Sequence, residues 1–185
     1  MHTVTPKTAS RSGLSRSGLY RAARAGKLER VARGVYLPQF AVSVDWELAE
    51  VAARRPNATV CLASALVQHE LDDAIPASLD VALPRGARRP ATRSAITWHL
   101  FDRKTFTIGR RSIKVVGTDL RIGLYSAERS IADAFRMRGC VGYELATEAL
   151  REWLRRGGKP SHLVDVAVQL PRAKGPVLQA LEVLT

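Results

Sequence analysis

LSRSGLYRAARAGKLERVARGVYLP, residues Leu14 to Pro38, reads as one helix, one sharp break and one small β-hairpin. At about 100° per residue, Gly18, Leu19, Ala22, Ala23 and Gly26 fall on one side of the helix. Arg16, Ser17, Tyr20, Arg21, Arg24 and Lys27 fall on the other. The inner residues are small, so the helix can lie close to a neighbour. The outer face is cationic, with one aromatic and no carboxylate to neutralise it. Ser15 suits an N-cap, and Gly26 followed by Leu28 suits a Schellman stop with its apolar contact. Two β-prone runs follow, Leu28 to Val31 and Val35 to Leu37. The loop Ala32-Arg33-Gly34 joins them, and its glycine accepts a positive φ.

A basic helix running straight into a basic hairpin is the layout of a winged helix-turn-helix. There the helix enters the major groove of duplex DNA, and the hairpin, or wing, lies along the backbone. On this reading Ser15, Arg16, Ser17 and Tyr20, at the helix start, face base edges. Arg21, Arg24 and Lys27 reach bases or phosphates, and Arg30 and Arg33 on the wing meet phosphate or the minor groove. The competing reading is a solvated amphipathic helix beside a surface hairpin.

Upstream, Thr5-Pro6 predicts an N-cap and first helical residue for a short helix to Ser12, closed by Gly13. No room remains for a further helix, so the expectation is a minimal winged domain or a chain that begins late relative to its relatives. Downstream, Pro38 to Val44 reads as a linker. The expected organisation is a winged domain over residues 1–42 and a mixed domain over 43–185.

The larger part is predicted to open with a helix capped by Asp45 and stopped at Pro56-Asn57, then a helical run from Val60 to Leu71. Leu79 to Leu83, Ile96 to Phe101, Ile113 to Val116 and Arg121 to Tyr125 are strand candidates. From Ser126, a further N-cap, the chain turns helical: to Met137, from Tyr143 to Arg156, from Ser161 to Leu170, and from Pro176 to Leu184. The fold class is therefore α+β, a small winged helix-turn-helix followed by a domain with a small sheet and a helical C-terminal part.

Charge supports a polyanionic partner. The 185 residues hold 29 Lys+Arg against 17 Asp+Glu, a net +12. Most of this excess lies in the first 40 residues, where Glu29 is the lone carboxylate. A second basic stretch, Arg85, Arg88, Arg89 and Arg93, sits in a Pro/Gly-rich loop, either as a solvated loop or as a second polyanion-binding surface.

Chemistry is harder to find. His2, His69, His99 and His162 do not pair at helical spacing, Cys61 and Cys140 read as buried thiols, and no metal-ligand spacing is present. The acidic cluster from His69 to Asp73 falls at a helix end and reads as a solvated terminus. No phosphate-cradling glycine loop or nucleophile motif occurs. The expectation is a protein that is not an enzyme and needs no cofactor or metal. No apolar run approaches the ~18 residues of a membrane span and no signal-peptide core is visible, so a cytoplasmic, membrane-free protein is expected.

Three stretches resemble the AbiE-type antitoxins of bacterial type IV toxin–antitoxin systems, also described as AbiEi-like transcriptional regulators. The first is G-x-L-x-R-x-x-R-G-V-Y, here Gly26 to Tyr36. The second is Ser64-Ala65-Leu66 followed by His69, where this chain has Glu70 in place of the family's glycine. The third is the helical pair Arg129 and Asp133. The resemblance implies an N-terminal domain that represses its own operon at inverted repeats in double-stranded DNA. It also implies a C-terminal domain that counters a nucleotidyltransferase-like toxin, without requiring a stable complex with it. The alternative is an RNA-binding or RNA-processing protein with no toxin-related role, which equal charge would serve.

Overall fold

The computed structural model describes residues 2–39 and 44–184. Most of the expected linker, and the boundary expected between 42 and 43, lie outside the described residues. The chain packs as two compact units. The first comprises Met1–Ala58, Pro90–Ser94 and Ser112–Ile122, and the second Thr59–Arg89, Ala95–Arg111 and Gly123–Thr185. The first unit thus runs on beyond residue 42 and gathers two later segments.

In the first unit a 3₁₀ turn, Ala9–Ser12, precedes helix α1, Arg16–Arg24. The helix expected from Pro6 is only a turn and this 3₁₀ segment. Thr5 and Thr8 turn their hydroxyls on one another at 3.0 Å, which favours a local turn over helix propagation. Ser15 caps α1, its Oγ accepting from the Gly18 N–H at 3.0 Å. The helix stops as a Schellman motif: Lys27 N–H donates to the Ala22 carbonyl, Gly26 N–H to that of Ala23, and Gly26 takes a φ of 71°.

The hairpin is β1, Leu28–Ala32, antiparallel to β2, Val35–Pro38, with a register shift between Arg30 and Ala32. Val4 extends it, exchanging both backbone hydrogen bonds with Tyr36 at 2.8 and 2.9 Å. Val4, Ala9, Leu19 and Tyr36 form a small core with Leu14, Ala23 and Leu28 against it. Helix α2, Trp46–Arg54, is capped by Asp45, whose Oδ1 accepts from the Leu48 N–H at 3.0 Å, and it packs on β1.

The larger sheet is formed by strands β3, Thr59–Val60, β4, Leu79–Pro84, β5, Ile96–Phe101, β6, Arg110–Lys114, and β7, Arg121–Tyr125, with Ser112–Lys114 of β6 and Arg121–Ile122 of β7 belonging to the first unit and the rest to the second. Their order is β5-β4-β3-β7-β6, with β3 parallel to β7 and antiparallel to β4. Val60 therefore starts no helix. It is the second residue of a strand, and helix α3 spans Leu62–Gln68. Strand β6 begins three residues ahead of the expected Ile113.

The remaining helices are α4, Ala127–Arg136, α5, Arg138–Val141, α6, Tyr143–Arg155, α7, Pro160–Ala167, and α8, Lys174–Leu184. Helix α4 is central: α3, α6, α7 and α8 all pack on it, and every residue from Arg129 to Phe135 is buried. Leu66, Ile131, Phe135, Leu150, Trp153, Leu163 and Val177 belong to its core. Cys61 is buried as expected, but Cys140 is exposed, because α5 is a single turn that presents no buried face.

Candidate nucleic-acid interface

The helix–hairpin stretch places its polar residues as a continuous cationic face. Arg16, Ser17, Tyr20, Arg21 and Arg24 are all exposed on α1, as is Lys27 just past its end, while Leu19 opposite them is fully buried. Arg30 and Arg33 on the hairpin are exposed too. Ser15 is occupied as a cap, and its Oγ also meets the Ser17 Oγ at 3.1 Å, so these two hydroxyls order the helix start. Tyr20 is 41% exposed and sits edge-on to Tyr36, with ring centroids 6.4 Å apart. With Ala23, Arg24, Leu28 and Arg30 these tyrosines line a shallow groove between helix and hairpin. A half-exposed aromatic held by a buried one, between two guanidinium groups, can stack on a sugar or base while the cations reach phosphate.

Sequence reasoning missed how this face continues. Glu50 of α2 is 4% exposed. Its Oε1 accepts from Arg54 Nε at 2.8 Å, and its two oxygens take the backbone N–H of Arg93 at 3.0 and 3.1 Å. Oε2 also accepts from the Ser94 N–H at 3.0 Å. Burial works to raise the Glu50 carboxyl, but the Ser94 and Arg93 backbone donors and Arg54 outweigh it and hold it below its ordinary value. This web draws Arg54 and Arg93 to the wing, where both line one cavity with Arg30, Val31, Ala32 and Arg33. The Glu50–Arg54 spacing of one helical turn was the available signal; the link to residue 93 had none.

The second basic stretch is divided between the units. Arg85, Arg88 and Arg89 are exposed on the loop after β4 in the second unit, where Arg103 Nε donates to the Arg85 carbonyl at 2.8 Å. Arg93 belongs to the first unit.

The motif residues of the second unit are structural. Arg129 is fully buried: its Nε donates to Asp133 at 2.8 Å and its Nη1 to the carbonyls of Thr105 and Ile108 at 2.7 and 2.9 Å. Its guanidinium lies 4.4 Å from the centre of the Tyr125 ring. Arg136 Nε takes the other oxygen of Asp133 at 2.6 Å. Gly109, at φ 66°, passes so close to Arg129 that a side-chain carbon there would stand 2.7 Å from Arg129 Cβ.

His69 Nε2 meets the Tyr125 carbonyl at 2.7 Å, and His99 Nε2 meets Asp80 at 2.8 Å. Burial pushes the Cys61 thiol and the Tyr125 phenol upward, which keeps both protonated and unreactive at neutral pH. Glu70, Asp72 and Asp73 line an open cleft with Glu148, Glu152 and Arg156. Among the described residues no group of His, Cys, Asp or Glu is arranged to hold a metal ion, and no helix is long and apolar enough to cross a membrane.

No curated protein matches the chain. Among solved structures it is similar to the RV2827C protein from Mycobacterium tuberculosis, at 16% identity and a TM-score of 0.52, covering 98% of this chain and 90% of that one. At that identity the likeness is one of fold. Residues 2–39, the stretch that carries the cationic helix and hairpin, match the family described as transcriptional regulator, AbiEi antitoxin.

Proposed function

We propose that the protein is a DNA-binding antitoxin of a type IV toxin–antitoxin system. On this reading it represses its own operon at inverted repeats and counters a nucleotidyltransferase-like toxin without needing a stable complex with it. The observation that carries the DNA-binding part is the uncompensated cationic face of α1 and the hairpin, on the same residues that match the AbiEi family. The N-terminal half of α1 presents Arg16, Ser17 and Tyr20 to base edges from a helix end whose partial positive charge favours phosphate. Arg21, Arg24 and Lys27 extend the contact, and Arg30 and Arg33 hold the backbone.

The winged domain acts as the reader, and the larger α+β domain carries the antitoxin role. The protein works in the cytoplasm by binding, without catalysis or cofactor. The buried Arg129, Asp133 and Cys61 and the half-buried His69 support this, since each is engaged by packing or hydrogen bonds. The test pairs two assays on the full chain. Binding to a duplex from upstream of its own gene is compared with binding to a random duplex and to single-stranded RNA of equal length. Growth is then scored when the protein is co-expressed with the product of a neighbouring nucleotidyltransferase gene. Preference for the upstream duplex and restored growth are expected. Stronger binding to the RNA would favour an RNA-binding role instead.

A further inference from the structure

Four arginines from three separate stretches of chain meet at one small cavity of the first unit. Arg30 and Arg33 come from the hairpin, Arg54 from the end of α2, and Arg93 from the 90–94 segment. The cavity encloses about 230 Å³. That is several times the ~30 Å³ share of a water molecule, so a phosphate group fits. Four like charges brought together repel one another, and Glu50 pairs with Arg54 of the four, at 2.8 Å. Glu50 is buried, and both its oxygens are engaged by Arg54, by the backbone N–H groups of Arg93 and Ser94, or by both. Its geometry fits an organiser: it fixes the Arg54 fork and the path of the chain at Arg93, and leaves the cavity net positive.

We infer that Arg54 and Arg93 join Arg30 and Arg33 in a pocket for one backbone phosphate of duplex DNA beside the wing, with Glu50 as its positioning residue. This rests on the DNA-binding reading above, and extends the interface beyond residues 2–39 to side chains that the family match does not reach. A forked, planar cation suits such a site, because guanidinium groups can grip phosphate oxygens in pairs from several directions. A phosphate held in this way fixes how the wing sits on the backbone, and hence how α1 is presented to the groove. It adds affinity without reading sequence.

The experiment uses the full chain with Arg54→Ala, Arg93→Ala and the double variant, alongside Arg33→Ala and the exposed Arg151→Ala on α6 as comparisons. Binding to the upstream duplex and to a random duplex is measured across a salt series. Each pocket variant should lower the slope of log affinity against log salt by about one unit, and the double variant by about two, with the ratio between the duplexes unchanged. Arg93→Ala keeps the backbone N–H that Glu50 accepts, so it tests the pocket even if Arg54→Ala disturbs α2.

If Arg33→Ala lowers the slope while Arg54→Ala and Arg93→Ala leave it unchanged, the pocket is refuted and the DNA-binding reading stands. If the unmodified chain binds neither duplex, the DNA-binding reading falls, and with it the claim of a DNA phosphate. Arginine Nε resonances followed during titration with inorganic phosphate then decide the cavity itself. Saturable shifts lost in the double variant retain it as an anion site, and their absence overturns it.

Discussion

Arg24 and Arg129 are the same residue on two amphipathic helices, put to opposite uses. Arg24 stands exposed on α1 among other cations, with no carboxylate on its face. Arg129 is sealed inside the second unit, with an aspartate one turn away, two carbonyls accepting from it and an aromatic ring against its plane. A buried guanidinium must have its charge answered inside the protein, because water no longer does so. Arg129 meets this through Nε and Nη1, while its buried Nη2 has no hydrogen-bond partner among the described residues. An exposed one stays solvated until a partner offers something better. The abundance of arginine therefore says little by itself; what each is given to hold separates support from recognition.

The sharpest way to break this contrast is to remove the answering charge. Asp133→Ala strands Arg129 and is expected to destabilise the protein by about 3–5 kcal/mol in urea or thermal unfolding. Arg24→Ala should leave the unfolding midpoint where it is. A small effect from Asp133→Ala would mean that the two arginines are not so different. Next in size, Arg16→Ala and Tyr20→Ala should each cost about 1–3 kcal/mol of discrimination between upstream and random duplex, with unchanged unfolding. If they weaken both duplexes equally, α1 grips backbone and does not read bases.

The two helix caps offer a finer comparison. Ser15 and Ser126 both accept a backbone N–H three residues on, at 3.0 and 3.2 Å. Replacing either by Ala should cost about 1 kcal/mol of stability. Ser15→Ala should in addition weaken DNA binding, whereas Ser126→Ala should not. The smallest expected effect is one of pH. The folded Glu50 carboxyl lies below its ordinary 4.5, so its stabilising contribution is complete above about that pH. The contribution fades as pH falls through the folded value. Glu50→Gln should flatten that part of the acid limb when denaturation midpoints are followed from neutral pH downward.

Local features of the chain were open to reading from sequence. Ser15, Asp45 and Ser126 cap where capping chemistry puts them, Gly26 ends α1, and Leu79, Ile96 and Arg121 begin strands. The misses share a cause. Strand β3 is two residues long, too short for a period, and it merges in sequence with the apolar start of α3. Val4 becomes a strand residue only because Tyr36 offers it a backbone edge. At the interface, the exposed face of α1 followed from helical spacing. The spacing of Arg129 and Asp133 was visible as well, but their burial depends on carbonyls at Thr105 and Ile108, more than twenty residues earlier. The meeting of Arg30, Arg54 and Arg93 is set by tertiary contacts that no local pattern encodes.

That the first unit takes its material from three parts of the chain has a consequence in time. Helix α1 and the hairpin are translated by residue 38, yet the unit also contains Pro90–Ser94, which supplies donors to Glu50, and Ser112–Ile122. Within that last segment, Asp119 accepts from the Thr3 N–H at 2.8 Å and tethers the beginning of the chain. At about 5–20 residues per second, roughly 4–17 s separate synthesis of the hairpin from synthesis of the pieces that complete its unit. A ribosome that stalls before Pro90 leaves the cationic helix and hairpin without these partners. Only chains carried past Ile122 can assemble the finished surface.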